Sequence, residues 1–383
     1  MGPAVKLFLI AGEPSGDKLG AALMAGLKTL SPGVEFAGIG GPLMQAQGMT
    51  SLFAMDELSV MGIAEVLPKY RALKRRIAQA AAAAVACAPA ALITIDSPDF
   101  CLRVAKIVKQ AHPTLRTVHY VAPSVWAWRP GRAAKMARVI DHVMALLPFE
   151  PPFMTAVGMS CDFVGHPVVA EPVATPAQAA AFRQSRGIAP DVPLIAVLPG
   201  SRRGEITRLA PRFGEVVRAV IAKHPAARVL VQTLRNQSAL VRDFTQGWPG
   251  DPVYLQSPTP VQRAAAFSAA NVALAASGTV SLELAAQSCP MVIAYDLNRL
   301  TYWLMRKMAL IDTVTLVNLV TKTRTVPEFL GERCRPDLIA PAVLQLLNTS
   351  DDQMHAMRQT MLMLGQGGEP PGLRAARSVL SVL

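Results

Sequence analysis

One carboxylate of this sequence has no structural explanation from its neighbours. The segment Ile95-Asp96-Ser97-Pro98-Asp99-Phe100 joins an apolar run to a helix-like stretch. Pro98 suits the first helical position, Ser97 the cap before it, and Asp99 the positive end of the helix dipole. Asp96 is left over at the end of a buried strand, where an open α/β sheet binds its ligands. We therefore predict that Asp96 is a general base that deprotonates a hydroxyl nucleophile.

Three turns of small residues follow apolar runs and can present backbone N–H groups to an anion. They are GEPSGD at 12–17, PGSRRGE at 199–205 and SGT at 277–279. Helix capping alone explains most turns of this kind, yet three in one chain favour a phosphorylated ligand. In the second turn, Ser201 and Arg202 would bind a diphosphate and stabilise it as it leaves. Solvated arginines in an exposed loop are the alternative.

The third turn leads into a stretch with polar residues at helical spacing. Ser277 is expected to cap this helix, with Gly278 beside it. Thr279, Glu283 and Gln287 are four residues apart and therefore share one face. Glu283 can accept hydrogen bonds from ribose hydroxyls, although a solvated surface glutamate has the same sequence signature. We predict that these residues bind a nucleotide.

An aromatic and basic loop, APSVWAWRPGR, spans residues 122–132. Its Trp126 and Arg129 suit a sugar phosphate, but an RNA-binding loop has a similar composition. Glu13, at the end of the first apolar run, is a second carboxylate that we expect to border the same cleft as Asp96.

Short apolar runs alternate with helical stretches along the chain, which is typical of parallel sheets with crossover helices. Val5–Ala11 precedes GEPSGD, and Leu194–Leu198 precedes PGSRRGE. A Pro- and Ala-rich stretch from about residue 167 to 193 separates two such series. We predict an α/β protein with two doubly wound, Rossmann-like domains, residues 1–167 and 168–365, facing each other across a cleft.

The bulk composition favours a large core and a polyanionic partner. Of the 383 residues, 51% are hydrophobic and 17% are charged, which argues against intrinsic disorder. The net charge of +12 fits nucleic acid, an anionic membrane face or phosphorylated substrates, or it simply keeps an apolar chain soluble. Five scattered cysteines indicate a reducing compartment rather than a disulfide framework. The six histidines show no ligand spacing, so no metal site is expected.

Two segments combine apolar and basic residues in the manner of membrane-surface helices. In residues 58–77, Leu73 and Ile77 share one helical face among several lysines and arginines. Residues 300–308, LTYWLMRKM, have the same mixture. Either segment could instead be a surface helix docked on its own domain. No stretch is long and apolar enough to predict a membrane span.

Taken together, the motifs resemble those of the lipid-A-disaccharide synthase family. In the first half, the matching stretches are AGEPSGDKLGAALM, GPLMQAQG, MGIAEVLPK, IDSPDF, HYVAPSVWAWRPGR and LPFE. In the second half, they are GHP, LPGSRRGEI, ASGTVSLE, CPMVIAY and NLV. They occur in the family's order and extend nearly from end to end.

The resemblance implies an inverting, metal-independent glycosyltransferase of B-type architecture. Such an enzyme joins UDP-2,3-diacylglucosamine to 2,3-diacylglucosamine 1-phosphate by a β-1,6 link, and it releases UDP in the lipid A and lipopolysaccharide biosynthesis of Gram-negative bacteria. It uses no cofactor and binds no nucleic acid. The family also implies a homodimer that is peripheral to the cytoplasmic face of the inner membrane.

The same resemblance divides the work between the domains. Residues 1–167 would bind the acceptor and 168–365 the UDP-sugar, with a C-terminal helix at about 366–383 packing back on the first domain. Inversion needs a single base, in agreement with Asp96. The acceptor-binding residues are then expected to be Glu13, Ser15, Asp99, Trp126 and Arg129, with Asn318 near a partner's site.

Two other functions remain open at this point. One is another UDP-sugar enzyme of the same architecture, such as the peptidoglycan glucosaminyltransferase or a UDP-sugar epimerase. The other is a basic nucleic-acid-binding protein that uses the Trp/Arg loop.

Overall fold

The computed structural model describes residues 5–58, 63–276, 278–296 and 307–383, with the backbone alone at 63–70 and 235. The chain divides into two compact units. The first comprises Met1–Val169 together with Gly367–Leu383, and the second comprises Ala170–Gln366. Each unit contains one six-stranded parallel sheet.

The sheet of the first unit has the strand order β2-β1-β3-β4-β5-β6. Helices cover it on both sides, so the buried strands are apolar along almost their whole length. The order reverses between β1 and β3, and such a switch point forms a crevice at the carboxyl ends of the strands. The strands are β1 (Lys6–Ala11), β2 (Glu35–Ile39), β3 (Ala91–Ile95), β4 (Arg116–Tyr120), β5 (His142–Ala145) and β6 (Ser160–Phe163). The described helices are α1 (Pro14–Leu30), α2 (Pro42–Ala46), α3 (Ile63–Cys87), α4 (Pro98–Ala111), α5 (Gly131–Met136), α6 (Pro151–Thr155) and the C-terminal α15 (Pro371–Ser381).

The sheet of the second unit has the order β12-β11-β10-β7-β8-β9, which is the strand order of dinucleotide-binding folds. Its switch point lies between β7 and β10. The strands are β7 (Leu194–Leu198), β8 (Arg228–Thr233), β9 (Val253–Gln256), β10 (Val272–Ala276), β11 (Met291–Tyr295) and β12 (Glu328–Leu330). The described helices are α7 (Pro176–Ser185), α8 (Arg203–Lys223), α9 (Ser238–Thr245), α10 (Pro260–Ala269), α11 (Val280–Ala286), α12 (Leu316–Thr321), α13 (Pro336–Asn348) and α14 (Asp351–Met363).

The C-terminal helix α15 belongs to the first unit, where it packs against α1. Ser378 joins it to the sheet, because its Oγ atom lies 2.7 Å from Nε2 of the buried His142 and donates to Oδ2 of Asp162 at 2.8 Å. Arg374 adds a hydrogen bond from its guanidinium to the backbone oxygen of Phe163 at 2.6 Å. These contacts bind the end of the chain to β5 and β6.

The described part of helix α3 favours the docked-helix alternative for residues 58–77 over a membrane-surface segment. Ile77 is buried in the core of the first unit, and Leu73 packs against that core. Arg76 pairs with Glu57 at 2.6 Å and lies over the ring of Phe53. Positions 73 and 77 of this helix are therefore covered by its own domain. Most of the second segment, 300–308, lies outside the described residues.

Asp17 of the GEPSGD turn has a structural role. It is 2% exposed, and its carboxylate accepts three backbone N–H groups. Oδ1 accepts from Gly41 at 2.9 Å and Met44 at 3.0 Å, while Oδ2 accepts from Leu43 at 2.9 Å. The carboxylate thus caps the short helix α2 and connects the first two strand-to-helix turns of the sheet.

We predict that Asp17→Ala lowers the free energy of unfolding by about 2–4 kcal/mol, because three inward N–H donors lose a charged acceptor. Urea unfolding followed by far-UV circular dichroism measures the change. Asp56→Ala, an exposed aspartate of the same unit, is the control and should stay within about 0.5 kcal/mol of the wild type. Equal stability of the two variants would contradict the capping role.

Candidate functional site

A cavity of about 350 Å³ lies at the switch point of the second sheet. The turns after β7, β8 and β10 bound it, together with side chains of α8, α10 and α11. Five of the residues predicted to bind the nucleotide line this cavity: Ser201, Arg202, Gly278, Thr279 and Glu283. Of the other two predicted residues, Ser277 lies outside the described residues and Gln287 does not line the cavity.

The turn after β7 is organised by Glu205, a residue that the sequence analysis did not assign. Its Oε2 atom accepts the backbone N–H groups of Ser201 at 3.0 Å and Arg202 at 3.2 Å. Its Oε1 atom accepts from the Arg202 guanidinium at 3.3 Å and from the hydroxyl of Tyr295 at 3.1 Å. A Cβ atom on Gly200, whose φ is +115°, would lie 2.7 Å from Cβ of Glu205. The spacing of three residues from Arg202 to Glu205 was the available signal, since it is that of a capping box.

Burial and the neighbouring Glu205 carboxylate raise the pKa of Tyr295, so its phenol stays protonated as a donor. Tyr295 ends β11 and thus links a second strand end to the turn after β7. The side chain of Arg202 remains 66% exposed despite its contact with Glu205. Its guanidinium is therefore accessible to an anion in the cavity.

Glu283 and Gln287 have different surroundings, although they share a helical stretch. The Glu283 carboxylate faces the cavity and pairs with Nε of Arg263 at 3.2 Å. The Gln287 amide accepts from the backbone N–H of Ala174 at 2.9 Å and donates to the oxygen of Pro172 at 2.8 Å. The Gln287 side chain is therefore buried and holds the 172–174 segment, and its contact with the nucleotide stays a prediction.

Asp96 lies at the switch point of the first sheet in an unusual backbone conformation. Asp96 and Ser97 have φ values of +52° and +44°, in the left-handed region that costs about 1–2 kcal/mol for each residue other than glycine. Oδ1 of the half-buried Asp96 accepts the N–H of Ser97 at 2.9 Å. Ser97 makes no side-chain cap with α4, contrary to prediction, because the left-handed turn directs its hydroxyl elsewhere. Strain of this kind clusters at functional sites.

The GEPSGD turn lies beside the Asp96 turn. A Cβ atom on Gly12 would stand 2.8 Å from Oγ and 3.1 Å from Cβ of Ser97, so the two turns approach each other closely here. Glu13 is half-buried at the N-terminus of α1, Ser15 is exposed, and Asp99 is exposed in the first turn of α4. The structure therefore brings together the turns that carry these three residues and Asp96.

The aromatic loop is held by Glu150, a second carboxylate that the sequence analysis did not assign. Glu150 is 4% exposed and accepts from Nε1 of Trp126 at 3.1 Å. Its other oxygen accepts the N–H groups of Leu146 and Leu147 at 3.1 and 2.9 Å. Burial raises its pKa to about 7 against the opposing effect of these donors. The LPFE stretch carried the only sequence signal for this residue.

Arg129 is exposed at the tip of the same loop, and its guanidinium lies 4.2 Å from the ring centroid of Trp128. Its φ of +49° is again left-handed. The Trp128 indole holds the Arg129 guanidinium by a cation–π contact. The guanidinium edge that faces away from the ring is left open to an anion.

Asn318 is fully buried in the second unit, and its assignment to acceptor binding near a partner's site stays a prediction. Its amide nitrogen donates to Oγ1 of Thr313 at 3.2 Å and to the oxygen of Val326 at 2.9 Å. Its amide oxygen accepts the N–H of Val326 at 3.0 Å. These bonds satisfy both ends of the carboxamide, so the side chain connects two loops of the second unit.

None of the described helices is long and apolar enough to cross a bilayer. The described part of the chain also holds no cluster of three histidine, cysteine, aspartate or glutamate side chains that could bind a metal ion.

Comparison with known proteins identifies the family. The model of the lipid-A-disaccharide synthetase family matches residues 7–370. The lipid-A-disaccharide synthase of Ruegeria pomeroyi is 57% identical over 388 residues, which cover 100% of this chain and 96% of that protein. The chain belongs to the lipid-A-disaccharide synthetase family. Membership confirms the resemblance and the function that the motifs predicted, a glycosyltransferase of lipid A biosynthesis.

Solved structures agree with the predicted architecture. A putative UDP-N-acetylglucosamine 2-epimerase from Listeria monocytogenes gives a TM-score of 0.65 at 13% identity, over 99% of this chain and 96% of that one. MurG from Acinetobacter baumannii gives 0.57 at 12% identity, over 100% of both chains. At these identities the likeness concerns the fold alone, and it confirms two Rossmann-like domains of the B-type glycosyltransferase architecture.

The raised pKa of Glu150 predicts a pH-dependent stability. Its pKa is about 7 in the folded protein, whereas a glutamate outside the fold has a pKa of 4.5. The folded state therefore binds this proton more tightly than the unfolded state does. The contribution of this bound proton to the stability of the fold is complete below pH 4.5, and it is lost as the pH rises through 7. Relative to Glu150→Gln, the free energy of unfolding of the wild type should fall by about 3 kcal/mol between these limits.

Urea unfolding of both proteins at pH 5 and pH 8 measures this difference and cancels the other titrating groups. Parallel pH profiles of the two proteins would show that Glu150 does not titrate in this window.

Proposed function

We propose that this chain transfers the 2,3-diacylglucosaminyl group of its UDP derivative to the 6-hydroxyl of 2,3-diacylglucosamine 1-phosphate. The products are UDP and the β-1,6-linked lipid A disaccharide 1-phosphate, with inversion at C1 and without a metal ion. Membership of the lipid-A-disaccharide synthetase family over residues 7–370 carries the proposal.

The cavity of the second unit supports a UDP site. The exposed guanidinium of Arg202 can pair with the diphosphate, and a charge-assisted pair of this kind is among the stronger hydrogen bonds. The amides of Ser201 and Arg202 already donate to Glu205, so we assign phosphate binding here to the Ser201 hydroxyl and the guanidinium. Gly278 and Thr279 form the facing wall, and Glu283 suits the ribose hydroxyls as an acceptor-only group.

Asp96 is the proposed general base. Its carboxylate takes the proton of the acceptor 6-hydroxyl, and that oxygen forms a bond to C1 of the donor sugar. The bond from C1 to the UDP oxygen breaks, and its electron pair leaves with the diphosphate. Attack from the side opposite UDP inverts C1, so a single base is enough. Arg202 would neutralise the charge that develops on the leaving group.

The neighbouring turns of the first unit are assigned to the acceptor. The approach of Gly12 to Ser97 supports this, because it places the GEPSGD turn beside Asp96. The side chain of Arg129, supported by Trp128, suits the acceptor phosphate. The residues assigned to acceptor binding are Glu13, Ser15, Asp99, Trp126 and Arg129.

Membrane association and a homodimer are part of the proposal. Both substrates carry acyl chains, and each CH₂ buried in a bilayer contributes about 0.8 kcal/mol, so the enzyme must work at a membrane surface. The net charge of +12 supports binding to an anionic lipid surface, for which we propose the cytoplasmic face of the inner membrane. The homodimer rests on the family resemblance.

An assay with both diacylated substrates in detergent tests the proposal. We expect wild-type protein to release UDP and form a disaccharide with β configuration at the new link, as read from its proton coupling constant. Excess EDTA should leave the rate unchanged. Absence of product with both substrates present would refute the function, an α link would refute inversion, and loss of activity in EDTA with recovery in Mg²⁺ would refute metal independence.

A further inference from the structure

Gln232 is a wall residue of the second unit's cavity that none of the assignments above uses. It is the penultimate residue of β8, and it lines the cavity together with Thr233 and Leu234. No sequence motif includes it. Its position at the carboxyl end of an inner strand is nevertheless where open α/β sheets place residues that contact ligands.

The carboxamide oxygen of Gln232 is an unsatisfied acceptor in the described part of the chain. Within the described part of the chain, this Oε1 atom is buried and accepts no hydrogen bond. A buried acceptor without a donor has lost its hydrogen bonds to water and has formed none within the protein, which costs free energy. A ligand that supplies a donor removes this cost. The terminal torsion of glutamine is soft, so the amide can turn towards the cavity without a change in the backbone.

The strand order indicates which part of a nucleotide reaches Gln232. The phosphate contacts proposed above lie in the turns after β10 and β7, which are neighbours in the sheet. Gln232 lies on β8, which is one strand beyond β7 and two strands beyond β10. It is therefore displaced from the turns proposed to bind the phosphates. Leu234 follows β8 with 41% of its surface exposed, and it offers an apolar contact to a flat ring.

The hydrogen-bonding groups of UDP indicate which part of the nucleotide matches the Gln232 carboxamide. Its hydrogen-bond donors are the ribose hydroxyls and the N3–H of uracil. A carboxylate such as Glu283 can only accept, which matches a diol. A carboxamide presents an acceptor beside a donor, which matches the N3–H and adjacent carbonyl of the uracil ring.

We propose that Gln232 recognises the uracil base, its Oε1 accepting the N3–H and its Nε2 donating to a neighbouring ring carbonyl. Gln232 is thus a specificity-determining residue of the donor site. This inference rests on the proposed function, because it takes UDP as the ligand of the cavity.

Calorimetric titration with UDP and with UDP methylated at N3 tests the pairing. Methylation removes the donated hydrogen, so the wild type should bind the methylated nucleotide about tenfold or more weakly. In Gln232→Met, UDP should bind about tenfold more weakly than to the wild type, and methylation should then change affinity by less than about twofold. Gln232→Glu keeps an acceptor oxygen and should keep the discrimination.

Gln256→Met is the matched control. Gln256 ends the adjacent strand β9, is exposed and donates from Nε2 to Oγ of Ser238 at 3.1 Å, and it does not line the cavity. This variant should discriminate against the methylated nucleotide as the wild type does.

Two results would overturn the inference alone: equal binding of both nucleotides by the wild type, or an undiminished methylation penalty in Gln232→Met. If Gln232→Met does not fold, Gln232→Ala takes its place with the same expected loss of discrimination. Failure of the wild type to bind UDP at all would overturn the proposed function together with this inference.

Discussion

The parallel pairing of β1 with β3 and of β7 with β10 determines where the candidate functional residues lie. In the first pair Ala11 is opposite Ile95, so Glu13 and Asp96 leave the sheet at the same edge. In the second pair Leu198 is opposite Ala275, so the turns at Gly200 and Gly278 emerge side by side. A shift of register by one residue would reverse the faces of these side chains and separate the two turns.

Carboxylates have two kinds of role in this molecule. Asp17, Glu150 and Glu205 each accept two or three backbone N–H groups at the ends of strands or helices. They act as internal acceptors that fix the turns, and the polypeptide itself donates the hydrogen bonds they receive. Asp96 and Glu283 instead lie at the two switch points, and Glu283 has a cationic neighbour in Arg263. Distinguishing these two groups required the three-dimensional structure, because every one of the five lies in the first turn of a helix or within two residues before it.

Much of the fold could be predicted because it depends on local patterns. Apolar runs followed by small-residue turns located β1, β3, β7 and β10, and the motifs located the family. The contacts that the sequence could not show concern side chains whose partners are distant in sequence or whose backbone conformation has no sequence signature. Gln287 bonds to a segment 113 positions away, and Asn318 connects two loops across a buried turn. The left-handed backbone at Ser97 also has no signature in residue type, and a helical periodicity such as that of Leu73 and Ile77 cannot tell a lipid surface from a protein core.

The central claim is that the base lies in the first unit and the nucleotide site in the second. The variant Asp96→Asn distinguishes the role of the base from that of the nucleotide site most directly, because it keeps the size of the side chain while removing its basicity. The account predicts a loss of disaccharide formation of about 100-fold or more, with the dissociation constant of UDP unchanged by calorimetry. Turnover near the wild-type rate, or a parallel loss of UDP affinity, would contradict it.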